Sequence, residues 1–290
     1  MRIAVHGKEF NRASASFISR IFEILSKQKV DLLVSSKFSQ YLKKPSISCE
    51  FTTYSSEVDL QNIQLFISIG GDGTLLESIT YIGKSEIPVL GINTGRLGFL
   101  ATISKDETEK ALNSLFEGAY TLDKRAVLKL ETNKDIFEPL NFALNDFTVM
   151  KKDSSAMITI HTYIDGEFLN SYWADGIIVS TPTGSTGYSL SCGGPLIFPR
   201  SGNFVITPVS PHNLTVRPIV VADSSEITFQ VEGRSKRFLV SLDSRVSSVD
   251  NSIKLKVKKA DFKVHLVQLE SNQYFKTLRQ KLNWGLDIRN

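Results

Sequence analysis

Cysteine is nearly absent from this 290-residue chain; Cys49 and Cys192 are the only two. Two are too few for a disulfide-stapled secreted scaffold or a thiolate zinc site. Long hydrophobic runs are missing as well. The longest, at 65–69 and 176–179, are of strand length, far below the ~20 apolar residues that span a bilayer. The opening MRIAVHGKEFNR turns polar before a signal-peptide core can form. A large excess of one charge is also lacking. Lys and Arg total 34 against 30 Asp and Glu, a formal +4. That balance argues against a protein whose main task is neutralising a nucleic-acid backbone, and it suits a site for phosphorylated ligands. The expectation is a cytoplasmic protein with neither a membrane nor a nucleic acid as partner.

What is present is a globular composition, 41% hydrophobic and 22% charged, in a chain long enough for two domains of moderate size. The first third alternates strand-like and helical patterns. Short apolar runs at 3–5, 30–34, 65–69 and 88–92 are separated by one-face helical spacing at Phe17, Ile18, Ile21, Phe22 and Leu25 and by a helical stretch at 75–82. Strand, helix, strand, helix predicts a Rossmann-like parallel sheet covered by helices. Residues 105–117 read as one more helix. The pattern then becomes β-rich, with runs at 127–131, 141–150, 157–164, 176–180, 226–231, 238–242 and 253–258, and Asp165-Gly166 supplies a two-residue hairpin turn. Helical spacing returns at Phe275, Leu278 and Leu282. The predicted organisation is an α/β domain over 1–122, an all-β domain of layered sheets over 123–272, and a C-terminal helix over 273–290 that packs back on the first domain.

The most informative local feature is Gly70-Gly71-Asp72-Gly73-Thr74, which follows a buried strand and opens a helix. Ligands of open α/β sheets bind at the carboxyl ends of strands. Glycines admit a close backbone approach, and free amides at a helix start suit phosphate oxygens. No Gly-Lys-Ser/Thr follows, so this is not a P-loop. The distinguishing element is the acid within the glycines. A carboxylate beside a polyphosphate is unfavourable unless it holds a bridging Mg²⁺ or accepts a proton from an attacking hydroxyl. The structural alternative is that Asp72 merely caps the helix. A second glycine-rich strand end, 91–100, carries Phe99 and follows the next strand of the pattern, which would place it on the same rim; an ordinary turn with a buried Phe99 reads equally well.

The β-region holds a strand, 177–179, that runs into a block dense in hydroxyls and glycines: Thr181, Thr183, Gly184, Ser185, Thr186, Gly187, Tyr188 and Ser189. Neutral donors and acceptors with one aromatic face suit a nucleoside. No Gly-x-Ser-x-Gly elbow is present, which excludes that route to a hydrolase. Asn145-Asp146, at a strand start, pairs an amide with an acid that can hold ribose hydroxyls or a base amino group; a turn is the plainer reading. Ser210-Pro211-His212-Asn213 forms a rigid turn in which His212 reads as structural. His6, His161 and His265 have no neighbours that suggest a metal site.

In combination, GGDGTLL (70–76), NTGRLGFL (93–100), LNDFTV (144–149), DGIIVSTPTGSTGYSLSCGGP (175–195) and TPVSPHNLTVRPIVV (207–221) closely resemble the NAD kinase family, over most of the chain. The glycine-acid loop alone also resembles diacylglycerol-type lipid kinases and 6-phosphofructokinases. The resemblance implies an N-terminal α/β domain, a C-terminal β-domain and an NAD site in the cleft between them. It implies transfer of the ATP γ-phosphoryl group, with a divalent metal such as Mg²⁺, to the 2′-hydroxyl of the adenosine ribose of NAD. On this resemblance Asp72 matches the general base. Gly70, Gly71, Gly73 and Thr74 lie along the phosphates, and Asp72, Gly73 and Phe99 are also among the NAD contacts. Asn145 and Asp146 match the pair that grips NAD. Asp175, Thr183, Thr186, Gly187, Tyr188, Ser189, Leu190 and Ser191 match further NAD contacts. Ser210 matches a position reached from a neighbouring subunit of a homodimer or homotetramer.

The chain departs from the family pattern at three positions. Asp146 stands where Glu is more common and reaches ~1.5 Å less. Ser244 replaces a usual Gly after Asp243, and Trp173 replaces a frequent basic residue. Two other readings compete. A lipid or sugar kinase of the same core leaves the 175–195 block without a purpose, and a non-catalytic NAD(P) sensor needs no base at Asp72.

Overall fold

The computed structural model describes residues 1–43, 47, 49–152, 156–269 and 274–285. The chain divides into two compact units, Met1–Lys124 together with Val264–Asn290, and Arg125–Lys263.

Unit 1 is built from β1 (Arg2–Gly7), α1 (Arg12–Lys27), β2 (Asp31–Ser35), α2 (Ser36–Leu42), β3 (Thr52–Tyr54), β4 (Leu65–Ile69), α3 (Asp72–Ile82), β5 (Val89–Ile92) and α4 (Thr108–Phe116). The strands pair in parallel in the order β3-β2-β1-β4-β5. Strands covered on both faces need mostly apolar side chains, and β4 is buried throughout with Ser68 as its one polar residue. That is why the run at 65–69 reads as a strand. The helices bury one stripe each: Ile18, Ile21, Phe22 and Leu25 of α1, and Ala111, Leu112 and Leu115 of α4. Two elements had no sequence signal, the short strand β3 and the helix α2, which starts at the Ser35 cap where the Phe38 N–H donates to the hydroxyl at 3.2 Å. The sheet runs outward in both directions from β1 and β4. Their carboxyl ends are therefore the switch point at which such sheets bind ligands, and Gly70-Gly71 leaves β4 there.

Unit 2 begins within β6 (Thr121–Thr132) and continues through β7 (Phe142–Ala143), β8 (Asp146–Lys151), β9 (Ile158–Ile164), β10 (Glu167–Ala174), β11 (Gly176–Ser180), α5 (Tyr188–Ser191), β12 (Asn203–Val209), β13 (Ile219–Ala222), β14 (Ile227–Gly233), β15 (Arg237–Leu242), β16 (Arg245–Asp250) and the first part of β17 (Leu255–Gln268). One antiparallel sheet orders β10-β9-β14-β17, the other β13-β12-β11-β8-β15-β16. Their inner faces share a core in which Phe147 stacks on Phe229 with ring centroids 5.6 Å apart. Asp165 and Gly166 both take positive φ, 51° and 85°, and join β9 to β10 by the predicted tight turn.

The predicted continuous run at 141–150 is broken into β7 and β8. Leu144 and Asn145 leave the ladder because their amides are taken by the Asp243 carboxylate. The chain re-enters unit 1 at Val264, within β17, where Leu266 pairs in parallel with Val89. The last helix, α6 (Tyr274–Leu282), buries Thr277 and Leu278 but leaves Phe275 exposed, so of the predicted apolar stripe Leu278 faces inward. Residue 273 and residues 286–290 of the predicted tail lie outside the described residues. Among the described residues no helix is long and apolar enough to cross a membrane.

Candidate active site

In unit 1 the helix α3 is capped by the Gly71 backbone, and no side chain caps it. Asp72 is the first helical residue, and its carboxylate serves another partner. The Phe99 N–H donates to Oδ2 at 2.8 Å, and the Leu100 and Ala101 N–H groups donate to Oδ1 at 3.0 and 2.9 Å. The loop that supplies them is shaped by Asn93. The Asn93 amide donates to the Arg96 carbonyl at 2.7 Å and accepts from the Gly95 N–H at 2.7 Å. The two glycine-rich strand ends of the sequence thus meet at one carboxylate. Oδ1 accepts two bonds and Oδ2 one, which leaves Oδ2 with acceptor capacity for a hydroxyl.

The glycines differ in what surrounds them. A Cβ at Gly70 would lie 2.7 Å from Thr74 Cβ, and one at Gly98 would lie 2.6 Å from Asp72 Cγ. Side chains at Gly71 and Gly73 would meet nothing within 4 Å. Thr74 is buried and its N–H donates to the Gly71 carbonyl at 2.9 Å.

Glu77, one turn further along α3, takes Lys37 at 3.0 Å and Lys8 at 3.2 Å. Burial raises its carboxyl, but the two lysines outweigh this and hold it below the usual range. Burial pushes the neighbouring His6 imidazole down to about 4, so that histidine is neutral.

In unit 2 the end of β8 that begins at Asp146 lies beside the end of β11 at Ser180. The hydroxyl-rich block leaves from there. The Thr181 N–H donates to the Asn145 carbonyl at 2.9 Å, and its hydroxyl donates to the Leu144 carbonyl at 2.6 Å. A Cβ at Gly184 would lie 2.8 Å from Asn145 Cα, so glycine is what lets the block sit on this backbone. An added Cβ at Gly187 would stand 4.0 Å from both Asn145 Nδ2 and Asp146 Oδ2. The predicted amide, acid and glycine are therefore neighbours. Asn145 Oδ1 is buried with no hydrogen-bond partner, a free acceptor of the sort a ligand satisfies. Asp146 is 8% exposed. Burial, reinforced by the Asp243 charge, pushes its carboxyl up to about 7, with the Thr148 hydroxyl opposing.

The remaining residues of the block divide by what is left open. Tyr188 opens α5 and is 42% exposed. The Thr186 hydroxyl donates to the Thr183 carbonyl at 3.1 Å. The Ser189 hydroxyl is fully buried against Thr207 Oγ1 at 2.8 Å, so its side chain is committed to the fold. Leu190 is half-buried and Ser191 exposed. Asp175 pairs with Lys151 at 2.6 Å. Ser210 is exposed, with φ at 46°. The adjoining His212 donates its N–H to the Trp173 carbonyl at 2.8 Å, and the two rings stand 4.6 Å apart.

Sequence reasoning missed three residues here. Buried Arg125 donates to Thr183 at 3.0 Å, Lys151 neutralises Asp175, and Asp243 holds three backbone amides. Each acts through a partner remote in sequence; no local motif marks Arg125 or Lys151, and the pattern that includes Asp243 says nothing of the amides it holds.

Among the described residues no three His, Cys, Asp or Glu side chains cluster as a cation cage.

Residues 3–120 match the family model for the ATP-NAD kinase N-terminal domain, and residues 144–269 that for the ATP-NAD kinase C-terminal domain. A curated NAD kinase of Cytophaga hutchinsonii is 54% identical over 292 residues, covering 100% of both chains. The NAD kinase of Flavobacterium psychrophilum is 47% identical over 294 residues, again with 100% of both covered. Among solved structures, yeast NADH kinase complexed with NADH matches the fold at a TM-score of 0.89, with 22% identity, 100% of this chain and 89% of that one. An NAD kinase from Archaeoglobus fulgidus in complex with ATP matches at a TM-score of 0.75, with 26% identity, 98% of this chain and 99% of that one.

Proposed function

The chain belongs to the NAD kinase family, and from that premise we propose which of its residues carry the reaction. It is a phosphotransferase that moves the γ-phosphoryl group of ATP to the 2′-hydroxyl of the adenosine ribose of NAD, giving NADP. Asp72 is the general base. A ribose hydroxyl is a poor nucleophile at neutral pH, and a carboxylate hydrogen-bonded to it lowers the cost of attack by about 10²–10⁴-fold. The observation that carries this role is the Asp72 carboxylate itself. Three N–H bonds fix its orientation, and Oδ2 keeps room for one more donor.

Gly70, Gly71, Gly73 and Thr74 line the donor phosphates. The open space over Gly71 and Gly73 supports this reading, since backbone amides there can be approached closely. Asn145 and Asp146 grip the acceptor, with the free Asn145 Oδ1 taking a hydroxyl or amino hydrogen. Gly187 leaves room above this pair, and Tyr188 lends an exposed ring for packing. Asp175, Thr183 and Thr186 to Ser191 complete the NAD-binding set, with Ser189 contributing through its backbone. A divalent cation, Mg²⁺ in this proposal, would offset the charge on the transferring phosphoryl group, with Asp72 as the one carboxylate of the glycine loop. A cytoplasmic setting and assembly as a homodimer or homotetramer, with Ser210 reaching a neighbouring subunit, belong to the same proposal.

The test is a donor-and-acceptor panel with ATP, Mg²⁺ and either NAD or diacylglycerol. NADP must form with NAD. Activity on diacylglycerol alone would instead favour a lipid kinase. Asp72→Asn should lose about 10²–10⁴-fold in turnover with the NAD dissociation constant largely kept. Unchanged turnover would remove Asp72 from the mechanism.

A further inference from the structure

Asp243 lies in the turn between β15 and β16, where Leu242 pairs with Arg245. It holds φ at 51°, in the left-handed region that a non-glycine residue keeps only where its surroundings impose it. Its carboxylate accepts the N–H of Leu144 at 3.0 Å, of Asn145 at 2.8 Å and of Asp146 at 3.2 Å. In return the Asp243 N–H donates to the Asp146 carbonyl at 2.9 Å. Arg245, two residues on, donates to the carbonyls of Leu140 and Phe142, so both flanks of the broken strand are tied to this one turn. A carboxylate bound by three successive amides is a charge-assisted clamp on a backbone that would otherwise continue as ladder.

We propose that Asp243 is a positioning residue for NAD: by clamping the 144–146 backbone it sets the angle at which Asn145 and Asp146 meet the acceptor nucleotide. This rests on the role given to Asn145 and Asp146 above. Asp243 touches no substrate on this reading and acts only through those two residues.

Its charge has a second effect. Acting on the Asp146 carboxyl are the Asp243 charge and the Thr148 hydroxyl, and Tyr188 of α5 lies within electrostatic reach of it; Arg245 acts on Asp243. Burial raises the Asp243 carboxyl as well, opposed by its three amides and by Arg245. Asp146 has only the Thr148 hydroxyl to offset burial, whereas three N–H groups favour the charged form of Asp243, so this proposal assigns the shared proton to Asp146. Removing the Asp243 charge therefore lowers the pH at which Asp146 ionises.

The experiment uses the full chain. Asp243→Asn replaces an acceptor oxygen by an NH₂ that faces backbone N–H groups. It should raise KM for NAD about tenfold or more, leave kcat within about threefold, leave KM for ATP alone, and move the midpoint of the NAD affinity against pH downward. Asp243→Glu keeps the charge but not the reach, so it should restore the midpoint without restoring KM. Equal losses in kcat and in both KM values, or an Asp243→Asn enzyme with unchanged KM and midpoint, would overturn the proposal. If neither variant folds, amide hydrogen exchange on the unmodified chain decides. Slow exchange at Leu144, Asn145 and Asp146 without NAD is required, and fast exchange that slows only when NAD binds would overturn the proposal. An unmodified chain that makes no NADP would refute the assigned reaction instead, so the two failures are distinguishable.

Discussion

Asp72 and Gly98 stand so close that a side chain at position 98 would occupy the place of the carboxylate, with its Cβ 2.6 Å from Asp72 Cγ. The carboxylate cannot swing aside without giving up the N–H bonds of Phe99, Leu100 and Ala101. Gly98→Ala should therefore displace Asp72, the proposed base, from its cradle. Overpacking of this kind costs about 1–3 kcal/mol, and turnover should drop by at least the ~10²-fold that a misplaced base forfeits. Steady-state kinetics with thermal melts would check both. A Gly98→Ala enzyme with normal kcat would mean that the position of Asp72 is not critical.

Asp146 gives a pH signature. Its carboxyl is raised from the ordinary value of about 3.9 up to about 7 by burial and by Asp243. A raised carboxyl contributes stability that is complete below the ordinary value and is lost as pH rises through the folded one. The melting temperature of the ligand-free protein should thus fall between about pH 4 and 7. Asp146→Asn should flatten that slope. NAD affinity should move in the opposite sense. Ribose hydroxyls donate more strongly to a carboxylate than to a carboxylic acid, so the dissociation constant should decrease as pH rises through about 7. Titration calorimetry across that range would show a flat profile if Asp146 is not in the grip.

Much of the fold was readable because its signals are local. The parallel strands are buried on both faces and read as continuous apolar runs, Asp165-Gly166 marks its own turn, and the glycine-acid loop sits where a strand ends. The remainder depends on contacts between distant residues. Nothing in the sequence of Asp72 says that its partners are backbone amides 27 to 29 residues away. Nothing near Asn145 says that its amide is held by a carboxylate 98 residues on. A backbone N–H has no residue type, so a carboxylate that binds amides leaves no paired motif to find. For the same reason the β-rich stretch 141–150 reads as one strand, and the break comes from Asp243. Ser189 shows the converse, a serine within a ligand-like block whose hydroxyl is spent on Thr207.

Tyr188 presents its ring at the start of α5 with 42% of its surface open. The ring follows Gly187 and lies within electrostatic reach of Asp146, so in the proposed site it packs against NAD. Tyr188→Ala should weaken NAD binding about two- to tenfold and change stability by less than ~0.5 kcal/mol, as at other exposed positions. Fluorescence or calorimetric titration would give the dissociation constant. An unaltered value would take the ring out of the NAD site.

Gly73 separates a structural from a functional use of glycine. It is the second residue of α3, and an added Cβ would meet nothing within 4 Å. Its φ is not in the left-handed region. Alanine is favoured over glycine in helices by roughly 0.5–1 kcal/mol. On folding grounds alone Gly73→Ala should therefore be neutral or should raise the melting temperature by about 2–4 °C. The residue is glycine against its own helix preference, and the open space beside it is what donor phosphates would fill. The same substitution should accordingly raise KM for ATP about tenfold or more while the fold gains stability. That combination cannot come from damage to the protein, because damage lowers stability together with ATP affinity. A stabilised Gly73→Ala enzyme with unchanged KM for ATP would mean that the phosphates do not approach this turn, and the donor site would have to be sought elsewhere on the rim of the sheet.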